Sequence, residues 1–142
     1  MAWTDVKPFF HTVMESKDFS LWGDGFAEDN IPSNILDHSY HLRVGRISGT
    51  TANQYDVESR MPVTISFFVK GYADPDAAID SAIAEAEMVV TEIMRPSNRT
   101  NTDGIHNISF IGMDISPLAA SNDNAILAAI EFDVRVVLQT LT

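Results

Sequence analysis

The chain has 142 residues, 45% hydrophobic and 20% charged, with no cysteine and a formal net charge of −11. That length supports one hydrophobic core, so the whole of 1–142 reads as a single domain, and the composition is that of a globular chain rather than a disordered or fibrous one. The missing cysteines exclude disulfides, thiolate metal sites and thiol nucleophiles, and so acidic a balance argues against gripping nucleic acid through its phosphates.

The acidity is compatible with DNA passing nearby, since an acidic wall repels the polymer and prevents sticking; it also serves solubility alone. No apolar run approaches the roughly 18–20 residues of a membrane span. The opening "MAWTDVKPFFHTV" lacks the cationic and apolar regions of a signal peptide, so the sequons at Asn98 and Asn107 read as chance matches.

Val6, Phe9, Phe10, Val13 and Met14 recur at helical spacing, so residues 5–17 read as a short amphipathic helix, with Pro8 tolerated in its first turn. Next comes "SLWGDGFAEDNIPSNILDHS", turn-rich yet carrying Trp22, Phe26, Ile31, Ile35 and Leu36. Such a loop packs either on its own core or on a neighbouring subunit. "YHLRVGRISG" reads as a strand with Tyr40, Leu42 and Val44 on one face, and "TTANQYDVES" as a polar loop or flap. "MPVTISFFVKGY" is a clear strand in which Val63, Ile65, Phe67 and Val69 alternate against Thr64, Ser66 and Lys70; Pro62 suits a strand start or an edge.

Asp74 as N-cap and Pro75 as first helical residue open a helix that runs to about 95, before Pro96. Its apolar stripe is Ile79, Ala82, Ile83, Ala86, Val90, Ile93 and Met94, and the alanines imply close approach to a sheet. "IHNISFIGMDIS" is a further strand, with Ile111, Met113 and Ile115 on one face and Ile108 and Phe110 on the other, which suggests a central, two-sided position. The order α-β-β-α-β-β implies an α+β fold: a single mainly antiparallel sheet of about four strands with two helices packed on one face.

The last segment, "AILAAIEFDVRVVLQT", alternates throughout, with Ile126 to Leu138 apolar at every even position and Glu131, Asp133 and Arg135 opposite. Fully extended it spans on the order of 50 Å, longer than the roughly 35–40 Å body of such a domain. Either a bulge or bend near Glu131 folds it back within one domain, or a neighbouring protomer pairs with the excess.

Motifs of catalysis are missing: no Gly-rich phosphate loop, HExxH or GxSxG occurs. "SNRTNTDG" echoes a calcium loop, but Arg99 occupies a ligand slot and no glutamate follows. His38 and His41 in one strand would point to opposite faces, which does not make a metal site. The helix carboxylates Asp76, Asp80, Glu87 and Glu92 read as a solvated face, and Glu131, Asp133 and Arg135 lack a histidine or nucleophile to work with. The chain therefore reads as no enzyme, with no catalytic, metal or cofactor-binding residue assigned.

Several stretches carry a resemblance: "NIP", then "DHSYH" opening a strand, a polar flap, "PVTISFFVKGY", "DPDAAIDSA", and downstream "RPSNRT", "DGIHNI" and "SNDNAI". From about Trp22 onward the chain resembles tail-terminator (tail-completion) proteins of long-tailed bacteriophages. The resemblance implies a small α/β virion structural protein that forms a ring, commonly a hexamer. Such a ring caps the tail tube, ends its polymerisation and offers a head-side connector protein a surface for head attachment. It further implies assembly in the host cytoplasm and DNA passing through the lumen without specific binding. Candidate oligomer or partner contacts are Trp22, Phe26, Tyr55, Arg60, Glu131, Asp133 and Arg135, aromatic or charged groups on loops and on the polar strand face. The rival readings are another neck or head-completion connector and a small α/β ligand-binding or hydrolytic domain.

Overall fold

The computed structural model describes residues 2–21, 38–52, 56–69, 75–99, 105–117 and 126–139. In chain order the elements are α1 (Ala2–Ser16), β1 (Ser20–Leu21), β2 (Ser39–Val44), β3 (Ser48–Ala52), β4 (Asp56–Val69), α2 (Pro75–Ile93), α3 (Pro96–Arg99), β5 (Ile105–Pro117) and β6 (Ile126–Gln139). The strands form one sheet in the order β1-β2-β4-β6-β5, with β3 continuing the line of β2 along the same edge of β4. Only β1 and β2 run parallel. The expected α+β class and mainly antiparallel sheet are found. The described residues hold six strands and three helices where about four and two were expected.

The long final strand finds its partner inside the protomer. β6 pairs with β4 at every position from Ile126↔Val69 to Gln139↔Asp56, and with β5 from Ile126 to Val136 on its other side. It is an inner strand whose length is matched on one side by β4, while past Val136 it has no partner in β5. Near Glu131 its register with β4 is unbroken, and it does not fold back on itself there. β4 is equally long because Asp56–Ser59, expected as part of a flap, form its first four residues, of which Val57, Glu58 and Ser59 pair with β3. Three of these four residues are polar, and Ser59 is polar although buried, which hides the strand from an apolar-periodicity test.

The bulges lie in β5 instead. Its register with β6 shifts between Ile105 and Asn107 and again between Phe110 and Gly112. The second shift moves the apolar positions from even to odd numbers, so Ile105, Ile108, Phe110, Met113 and Ile115 all oppose inward-facing residues of β6. β5 is therefore not a two-sided central strand: it is the edge strand at its end of the sheet among the described residues.

One face of the sheet carries the core. Tyr40 and Leu42, Met61 to Val69 at alternate positions, and Ile126 to Val136 at alternate positions are buried against Val6, Phe10, Val13 and Met14 of α1 and Ala78, Ala82, Ala86, Val89 and Ile93 of α2. α1 begins earlier than expected, so Pro8 sits in its second turn rather than its first. α1 is pinned at both ends of the sheet: Trp3 donates from Nε1 to Ser59 Oγ at 2.8 Å, and His11 Nδ1 is hydrogen-bonded to the Tyr40 hydroxyl at 2.8 Å. α2 approaches through its alanine row. That rotates Ile83, expected in the buried stripe, out to 44% exposure.

Pro62 stands inside β4, away from either end. The Gly45 N–H donates to the Pro62 carbonyl at 2.8 Å, so the edge of Pro62 that lacks an N–H faces the bend at 45–47 between β2 and β3. A Cβ on Gly45 would lie 2.9 Å from Pro62 Cγ, in a ring that cannot swing aside. Gly45→Ala should therefore cost about 1–3 kcal/mol. Urea denaturation reads this as a lower midpoint at unchanged slope, and an unaltered midpoint would refute the close approach.

Candidate interaction surfaces

The second face of the sheet has no helix over it among the described residues, and the expected polar residues of β6 lie there. Arg60 on β4 is directly opposite Arg135 on β6, an unfavourable pairing of like charges on its own. Each arginine instead reaches diagonally to an acid. Arg60 Nε donates to Asp133 Oδ2 at 2.7 Å, and Arg135 Nε lies 3.2 Å from Glu58 Oε1. Four charges thus form a ladder across β4 and β6. Arg60 and Arg135 are half-exposed, so each pair contributes no more than about 0.2–1 kcal/mol. Of the candidates read from the sequence, the fold brings together Arg60, Asp133 and Arg135, and adds Glu58. The ladder occupies these groups within the protomer.

Glu131 stands apart from the ladder. Opposite Thr64 and Gly112, it lines a groove of about 460 Å³ with Arg43, Ile111, Asp114 and Ala129. Trp22, Phe26 and Tyr55, like Asp74 and most of the aromatic loop at 20–36, lie outside the described residues.

The two histidines are not paired. His38 precedes β2 with a left-handed backbone (φ 59°), stacks near Phe19 and places Nε2 3.1 Å from Glu85 Oε1 on α2. Its carbonyl accepts from Ser20 and its N–H donates to Phe68, so it ties β1, β4 and α2 together. His41 is buried on strand β2. Among the described residues no three histidine, aspartate or glutamate side chains gather as a metal site.

The surface that sequence reasoning missed is the outer side of β5. Ile111, the bulged residue, is 55% exposed and Phe110 43% exposed. Phe110 and Met113 adjoin Ile83, Ala86, Glu87, Val90 and Thr91 of α2, and the space between strand and helix is a mostly apolar groove of about 300 Å³, whereas Ile111 faces the groove that Glu131 lines. An edge strand with apolar neighbours is an unusual exposure for a monomer. The signal was present in the sequence as apolar residues on both parities of β5, but a bulge and a two-sided strand give the same pattern.

At the other end of the sheet, Leu21 on β1 and Ile47 in the bend after β2 are also exposed. Beside Ile47 stands Arg46, exposed and in no ion pair with a described residue. Five of the six exposed large hydrophobic residues among the described ones thus lie at two opposite edges, Met88 on α2 being the sixth. Compared with known protein families and with curated proteins, the chain finds no match.

Proposed function

We propose that this chain is a non-enzymatic bacteriophage virion protein, a tail terminator that assembles as a ring on the end of the tail tube. The ring stops addition of tube subunits by geometry. One face complements the last tube ring, and the other presents a surface that no tube subunit extends and that the head-side connector recognises. DNA passes through the acidic lumen without adhering.

One structural observation carries the reading beyond the resemblance. The protomer's single sheet ends at two unlike lateral edges, each with exposed apolar residues, and such a body associates head to tail. Head-to-tail contacts close into rings when the rotation between copies permits.

Tail-tube subunits of the same virus, polymerised with and without the protein and imaged at their ends, test this. Capped tubes whose elongation stops are the expected result. Tubes that grow at the same rate with bare ends overturn it, and attachment to the portal side of heads instead would assign the protein to the neck or head-completion class.

A further inference from the structure

Resting on the ring reading, we infer that adjacent copies join by one specific contact. The groove between α2 and β5 of one copy receives the bend at 45–47 of the next, with Ile47 seated in the groove and Arg46 directed at Glu87.

The groove is lined by Ile83, Ala86, Val90, Phe110 and Met113, and its charged rim residue is Glu87. At about 300 Å³ it has room for a branched aliphatic side chain and little polar surface to lose on filling. Ile47 supplies such a side chain, exposed in the short break between β2 and β3 on the opposite edge of the sheet. The residue before it, Arg46, has no ion-pair partner among the described residues of its own protomer, in a chain of net charge −11.

Charge decides between the possible contacts. Two grooves meeting about a two-fold axis would set Glu87 against its own copy, whereas groove against the 45–47 segment sets it against Arg46. The bulges in β5 point the same way. They break the regular ladder that simple strand-on-strand pairing needs and push Ile111 outward, leaving side chains to make the contact.

The absence of cysteine makes the contact directly testable. Ile47→Cys and Ile83→Cys each replace an exposed side chain with the only thiol in the chain. The two variants, one carrying a size tag, are mixed in equal amounts and oxidised, both free in solution and bound at tube ends.

Random collision yields mixed dimers at about twice each homodimer. The inferred contact yields a mixed-dimer excess on the order of tenfold, lowered comparably by Arg46→Glu in the Ile47→Cys partner and restored by Glu87→Arg in the other. Dominant Ile83→Cys homodimers would show a two-fold contact through the groove and overturn the inference. Statistical mixing in both settings, insensitive to the charge of residue 46, would also overturn it. Wild-type protein that caps tubes while the cross-link stays statistical would leave the terminator reading standing without this contact. A mixed cross-link without capping would do the reverse.

Discussion

Replacing Val134 with aspartate should leave no cooperatively folded protein. Val134 is fully buried near the middle of β6, flanked across the sheet by Met61 of β4 and Ile108 of β5, both buried. A carboxylate there has no cation to pair with among the described residues of the helix-covered core. It either stays charged at large cost or takes up a proton and remains a buried polar group. Together with the lost apolar burial, the change is expected to exceed about 4 kcal/mol, a large part of the roughly 5–15 kcal/mol that holds a domain of this kind together.

The control lies one residue along. Arg135→Glu removes the pair with Glu58 but sets the new carboxylate opposite Arg60, and should change stability by no more than about 1 kcal/mol. Circular dichroism melts of the two variants separate the cases. A Val134→Asp protein melting beside the wild type would overturn the assignment of faces on β6.

Phe132→Ala is the second large effect, at about 3–5 kcal/mol. The Phe132 ring has no exposed surface and stands at the junction of several elements. It lies 5.7 Å from Phe10 of α1 and 6.0 Å from Phe110 of β5, and opposite Val63 of β4. These neighbours belong to a helix and to the two strands that flank β6, which cannot close over the void together, so most of the cavity should remain. The melting temperature is expected to fall by roughly 10–15 °C.

Phe110→Ala makes the informative comparison. Its ring touches Phe132 yet remains 43% exposed at the edge of the sheet. It should cost the isolated protomer much less than Phe132→Ala while weakening association between copies. Equal destabilisation by the two would mean that Phe110 belongs to the protomer core and that the β5 edge is not a contact surface.

The charged ladder shows how a surface can be legible in kind and not in use. Alternation along β6 places Asp133 and Arg135 on the polar face, as observed. Pairing them with Arg60 and Glu58 requires the register between β4 and β6, set by residues more than seventy positions apart in the chain. Once paired, these side chains serve the sheet at least as much as any partner. The apolar groove at α2 and β5 could not be read in advance for the same reason: it depends on how far the alanine row of α2 turns Ile83 outward and on which strand ends the sheet.

Local physics was enough for several elements. The two-residue repeat of β4 and β6 told inward from outward positions, because successive side chains of any extended segment point to opposite faces wherever the segment lies. Pro75 marked the start of α2, because its ring suits the first turn and hinders any later one. What the tertiary structure alone decided was order and register: that β6 is an inner strand between β4 and β5, that β5 with its bulges is the edge, and that polar residues before Met61 extend β4. Strand order is a competition among distant segments for the same row of backbone donors and acceptors. A bulge shifts the repeat by one without changing composition, so neither leaves a mark that the chain shows on its own.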